Sequence, residues 1–214
     1  MGTIYPAKLH LKKTLAALPQ FYKGQLPTIL YLEGDLSRRR HDTDRDLHFR
    51  QDSNFYYLTG CDLPGSRLLV DTNVKTALFV PGMDHDAVMW SGLPPSLEEI
   101  ASSHEVDEVY TMDKFASHLK KLLQKPSTLL TLPYTDTPSG VDDVDKTALQ
   151  PALEEARLVK TPFEIQLLQK ANDISSMAHA SVMEQIGKNA FKSEYEASAY
   201  FEYKCKFAGS RSFA

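Results

Sequence analysis

The chain has 214 residues, a mass of 24.1 kDa, 24 basic against 28 acidic side chains and a formal net charge of −4. A pI near 6.0 argues against a polycation built for nucleic acid, and no apolar run reaches the roughly 18–20 residues of a membrane span. Hydrophobic residues at 42% and charged residues at 24% exclude a disordered composition and fit one large domain, or one domain plus part of another.

From the N-terminus, Met1 to Pro6 lacks a basic segment followed by an apolar one, so no signal peptide is expected and the location expected is cytoplasmic. Residues 7–18 set Leu11, Leu15 and Leu18 at helical spacing, and Pro19 stops that helix. Thr28 to Leu32 reads as a buried strand closed by Gly34. Residues 37–46 are a charged loop. Asn54 to Thr59, rich in aromatics and ending at Gly60, reads as a strand. Arg67 to Asp71 and Lys75 to Val80 flank Thr72-Asn73 and read as a hairpin. Leu97 to Ser103 and Met112 to Gln124 read as helices, Leu129 to Leu132 as a strand, and Thr135 to Val144 as loop. The class expected is α/β, a mixed β-sheet flanked by helices.

The last stretch differs. Thr161-Pro162-Phe163-Glu164 is a capping box with proline at the first helical position, and apolar spacing carries the helix to Ile186, with Gly187 as its stop. Ser193 to Glu196 is a second capping box, opening a helix that ends near Phe207 before Gly209; only five residues follow, Phe213 among them. A second domain is therefore expected to begin near Leu158, with too little chain to complete it.

Chemistry is sparse. Seven histidines, His10, His41, His48, His85, His104, His118 and His179, form no zinc-protease motif, and Cys61 and Cys205 lie too far apart for a disulfide framework or a thiolate metal site. Asp84-His85-Asp86 reads as a solvated loop rather than a chelate. Asp42, Asp44 and Asp46 offer too few ligands on one loop for a divalent ion. They also cancel the field of Arg38-Arg39-Arg40-His41. Trp90, the single tryptophan, stands beside Ser91-Gly92 and Pro94-Pro95, which suggests a loop where an exposed aromatic would meet a ligand or partner.

One stretch carries a resemblance. Phe49-Arg50-Gln51-Asp52-Ser53-Asn54-Phe55-Tyr56-Tyr57-Leu58-Thr59-Gly60 resembles the N-terminal domain of Xaa-Pro aminopeptidases and prolidases, proline-specific pita-bread metallopeptidases, and its wording is most similar to the fungal enzymes. Leu78-Phe79-Val80-Pro81 with Met89-Trp90-Ser91-Gly92, then Leu129 to Leu132, Thr137-Pro138-Ser139-Gly140, and Arg157 to Ile165 agree with the family in order.

The resemblance implies an enzyme that hydrolyses the bond preceding proline in X-Pro peptides, with two manganese ions activating a bridging water. It implies that residues 1–157 are the N-terminal α/β domain and residues 158–214 the linker and first helices of a truncated catalytic domain. No metal ligand and no catalytic residue carries over. It further implies a homodimer in which Trp90, Arg40 and Asp44 help to wall the partner's substrate entrance, Arg40 and Asp44 being expected as a structural pair. Neither nucleic acid nor membrane is an expected partner. Two alternatives stand beside this: a non-catalytic dimerisation or regulatory module, whose unfinished helices would expose apolar stripes, and a domain with its own site at Asp42–Asp46.

Overall fold

Strand β1 (Thr28–Glu33) is buried through its four middle residues, and in the computed structural model, which describes residues 4–24 and 27–210, it lies inside a six-stranded sheet. The other strands are β2 (Arg67–Val70), β3 (Thr76–Val80), β4 (Glu108–Thr111), β5 (Thr128–Leu130) and β6 (Val144–Asp145), in the spatial order β4-β3-β2-β1-β5-β6. Only β2 runs against its neighbours; the other pairings are parallel, so the sheet is mixed. Phe213 lies outside the described residues.

Strand alternation divides the core. Leu30 and Leu32 of β1, Leu68 and Val70 of β2, and Leu78 and Val80 of β3 face helices α1 (Ala7–Ala17), α2 (Ser53–Thr59) and α6 (Leu149–Leu158). Ile29, Tyr31, Leu69, Ala77 and Phe79 face α5 (Phe115–Leu122) through Phe115 and Leu119. Both faces are covered, which is why the strands read as continuous apolar runs. Full burial of Phe55 and of Phe79 contributes roughly 1.5–3 kcal/mol each.

Segment 54–59, read as a strand, is helix α2. Asp52 accepts from the backbone N–H of Asn54 and Phe55 at 3.0 and 2.8 Å, and Gly60 closes the helix in the left-handed region at φ 68°. These caps, with Phe55 and Leu58 on one buried face, override the β propensity of the aromatics. Tyr57 stacks on His10 of α1 at 4.2 Å, and its carbonyl is 2.9 Å from His10 Nδ1.

Other boundaries moved. Leu97–Ser103 is helix α4, and Met112 to Lys114 is a 3₁₀ turn ahead of α5. Trp90 lies not in a loop but on α3 (His85–Ser91). Helix α6 escaped detection although Leu149, Ala152, Leu153 and Ala156 are spaced for it; Pro151 sits in its first turn, and Asp145 holds the turn that leads into it by accepting from Thr147 and Ala148 N–H at 2.7 and 2.9 Å. Strand β4 is half-buried at the sheet edge, and β6 has two residues, so neither gave a periodic signal.

The chain divides into two compact units, Met1–Leu158 and Val159–Ala214. The second holds α7 (Pro162–Gly187) and α8 (Glu194–Phe207), packed together around buried Ala178 and the contact of His179 with Phe201 at 4.6 Å. The Thr161–Glu164 capping box forms in full. The second box forms by half: Ser193 accepts from Glu196 N–H, while Glu196 accepts from Lys192 N–H instead. Helix α7 runs through Gly187, and the left-handed residue after it is Asn189.

Asp107 ties α1 to the β3–β4 edge. It accepts from Lys8 Nζ at 2.7 Å and from Thr76 N–H and Oγ1 at 2.9 and 2.8 Å. Partial burial pushes this carboxyl upward, but the Lys8 and Thr76 hydrogen bonds together outweigh it and hold it at about 2, below its ordinary 3.8. A depressed carboxyl stabilises the fold above pH 3.8, and the contribution is lost as pH falls through about 2. Asp107→Asn should lower stability at neutral pH by up to about 1 kcal/mol, since the site is solvent-screened. It should also flatten the acid limb of the stability profile, read by chemical denaturation at stepped pH.

Candidate functional site

Because β1, β3, β4, β5 and β6 share one direction and β2 opposes it, their C-terminal ends gather at one end of the sheet. Open α/β sheets place ligands at this end. Segments 34–52, 81–84 and 131–143 leave from it, and segment 60–66 enters β2 from it. A Cβ added to Gly65 would meet Leu36 at 3.2 Å and Pro81 at 3.7 Å, so three of these segments converge there.

Gln51 holds them. Its Oε1 accepts from Asp35 N–H at 2.7 Å and from Asp52 N–H at 3.0 Å, and its Nε2 donates to the Leu63 carbonyl at 3.1 Å. The side chain is buried. Gly34 N–H to the Ser66 carbonyl and Gly65 N–H to the Asp35 carbonyl, both 2.8 Å, close the base.

Above this base the charged loop folds on itself. Arg39 and Asp46 form an isolated bridge and an ion pair at 3.8 Å, and Arg38 pairs with Asp35 at 3.0 Å. Arg40 N–H donates to the Arg45 carbonyl at 2.9 Å and Thr43 N–H to the Arg40 carbonyl at 3.2 Å, with Asp42 in the left-handed region at the tip. Arg40 and Asp44 are exposed. The ion pairs of this loop use their neighbours, so the expected Arg40–Asp44 pair does not form among the described residues.

Trp90 follows β3 on the same end of the sheet. It is 88% exposed, as are Met89 at 84% and Leu93 at 79%. Asp84 accepts from Asp86 N–H at 3.0 Å, so this carboxylate starts α3. The His85 side chain lies outside the described atoms. Among the described residues, no three His, Cys, Asp or Glu side chains come together as ligands for a metal ion. Asp42–Asp46 therefore does not fit a divalent-ion centre, and neither does any other described cluster fit a two-metal one.

A second constellation joins segments far apart in sequence. Arg157 Nη1 donates to Asn54 Oδ1 at 3.1 Å, Asn54 Nδ2 to the Tyr134 hydroxyl at 3.0 Å, and that hydroxyl to Asp52 Oδ2 at 2.9 Å. The donors all point one way, from cation to anion, so each bond polarises the next. Asp52 and Asn54 stand at the start of α2, and Arg157 near the end of α6. Burial first, and then Asp52, raises the Tyr134 phenol to about 12, with the Asn54 amide opposing. Gln51 and Tyr134 were not singled out in the sequence: Gln51 lies between charged residues in a strong motif, and Tyr134 in a loop without periodicity. The constellation positions backbone; among the described residues it offers no nucleophile activated by a base.

Three comparisons bear on this arrangement. The family described as aminopeptidase P, N-terminal domain, matches residues 11–130. A protein of Paracoccidioides brasiliensis (strain Pb03) named "Probable Xaa-Pro aminopeptidase PEPP" is 35% identical over 214 residues, covering 97% of this chain and 45% of that protein. The chain thus spans less than half the length of this relative. Among solved structures, E. coli aminopeptidase P in its low-pH form has the same fold, with a TM-score of 0.76 at 20% identity over 98% of this chain and 51% of that one. A zinc-substituted E. coli aminopeptidase P in complex with product gives 0.73 at 19%, over 98% and 51%.

Tyr134→Phe removes the middle of the relay and leaves the backbone bonds of Asp52 in place. It should cost about 1 kcal/mol in thermal unfolding. Asp52→Ala should cost about 1–2 kcal/mol, because α2 loses its cap as well. The double variant should fall short of the sum, since the two share one bond.

Proposed function

Because the chain belongs to the aminopeptidase P family through its N-terminal domain, we propose that it is the N-terminal part of a manganese-dependent Xaa-Pro aminopeptidase. The observation that carries this is the family match over residues 11–130 together with the coverage of less than half of a curated Xaa-Pro aminopeptidase relative. In this reading residues 1–157 are the N-terminal domain, and residues 158–214 are the linker and first helices of the catalytic domain. The two metal ions and their carboxylate and histidine ligands then belong to catalytic-domain residues outside these 214. No step of peptide hydrolysis is assigned to the described side chains. The metal dependence rests on the family alone, in which a zinc-substituted enzyme is known.

The role proposed for this chain is to shape the entrance. Trp90, 88% exposed at the C-terminal end of the sheet, offers an aromatic face to a proline ring in the partner subunit of a dimer. Arg40 and Asp44, on the loop that Gln51 anchors, supply charge at the same end of the sheet. The enzyme is proposed to be a cytoplasmic homodimer acting on X-Pro peptides, with no nucleic-acid or membrane partner. A non-catalytic dimerisation module is the second reading. It is favoured by exposed apolar side chains on α7 and α8, among them Ile165, Met183, Ile186 and Phe207.

The purified 214-residue chain, folded by circular dichroism, should not hydrolyse an X-Pro dipeptide or an X-Pro-Y tripeptide with added manganese. Turnover that survives repurification, disappears on chelation and returns with manganese would overturn the placement of the metal ligands.

A further inference from the structure

The other face of the first unit holds a groove of about 880 Å³ between β1, β2, α5 and residues 136–140. Thr137-Pro138-Ser139-Gly140, conspicuous in the sequence, forms one wall. This volume falls in the range of small-molecule sites, roughly 300–1,000 Å³. Its lining is mixed, with Phe115, Leu119, Leu123 and Pro138 as the apolar part.

Glu33 and Arg67, cross-strand partners, also line it. Arg67 Nε and Nη2 both donate to one oxygen, Glu33 Oε1, at 2.9 and 2.6 Å. Arg67 Nη1 is therefore not used in the pair, while the Glu33 carboxylate also takes the hydroxyl of the buried Tyr31, another lining residue. The two side chains retain 28% and 32% of their exposure. The guanidinium rests on the Phe115 ring, 4.8 Å from its centroid, so its orientation is fixed before any ligand arrives. Lys120 and Asp136 add one charge of each sign to the lining. A cross-strand ion pair needs none of this concavity.

We infer that this groove binds a free α-amino-acid zwitterion with an apolar side chain. The ligand carboxylate meets Arg67 Nη1 and its ammonium meets the Glu33 carboxylate, with Lys120 and Asp136 elsewhere on the lining. Adjacent opposite charges in the protein select adjacent opposite charges in the ligand. An amino acid has these on one carbon, whereas a peptide separates them. The side chain lies against Phe115, Leu119 and Leu123. This site is independent of the peptidase reading and involves only residues of the first unit.

Calorimetric titration of the full chain tests it. L-Leucine should bind saturably. N-acetyl-leucine, leucine methyl ester and the dipeptide Leu-Leu should each bind at least about ten-fold more weakly, since each loses or displaces a charge-assisted contact. Glu33→Gln should weaken leucine binding by a similar factor. Ala116→Trp, at an exposed position on the groove wall, should abolish binding without lowering the melting temperature. Absence of saturable leucine binding, equal binding of the analogues, or binding that persists in a folded Ala116→Trp variant would overturn the inference.

Discussion

One buried amide organises the end of the sheet where the chain's exposed chemistry lies. Gln51 satisfies two backbone N–H groups, one at each end of the charged loop, and one carbonyl of segment 60–66. A buried polar group is costly when unpaired, so a side chain that satisfies three such groups at once fixes the segments relative to each other. The charged loop 35–50 can project only because its two ends are tied at this point. The loop tip is then free to carry Arg40 and Asp44 into solvent.

Asp52 carries the constraint onward. Its backbone N–H is held by Gln51 while its carboxylate caps α2 and takes the Tyr134 hydroxyl. The relay through Asn54 to Arg157 connects the first turn of α2 with the end of α6. The polar residues of the long motif at 49–60 are thus scaffold. They position the loops and the end of the first unit. The residues left exposed, Trp90 above all, are the ones available to a partner or substrate. The groove on the α5 face adjoins this base, since its polar pair, Glu33 with Arg67, is next in the chain to Gly34 and Ser66.

Much of this was legible in the sequence, and the failures have physical causes. Continuous apolar runs at Thr28–Leu32 and Leu129–Leu132 and the hairpin around Thr72-Asn73 placed four of the strands. The Thr161 box placed the start of the long helix. Aromatics at 55–57 suggested a strand because local propensity ignores caps, whereas Asp52 and Gly60 set a helix between them. The half-buried edge strand β4 left no pattern to read. Trp90 was recognisable as exposed, but not as helical, because seven residues are too few for a period. The roles of Gln51 and Tyr134 depend on partners 12 to 82 positions away, which no local reading supplies.

Amide hydrogen exchange of Gln51→Leu tests the central claim most directly. The substitution keeps the volume and removes the three hydrogen bonds. Loss of protection at Asp35 and Asp52 and at the Gly34–Ser66 closure, with β1, β3 and β5 still protected, is the result this account predicts. Unchanged protection across residues 34–66 in the variant would contradict it, and the anchoring of the loops would then lie in their backbone bonds alone.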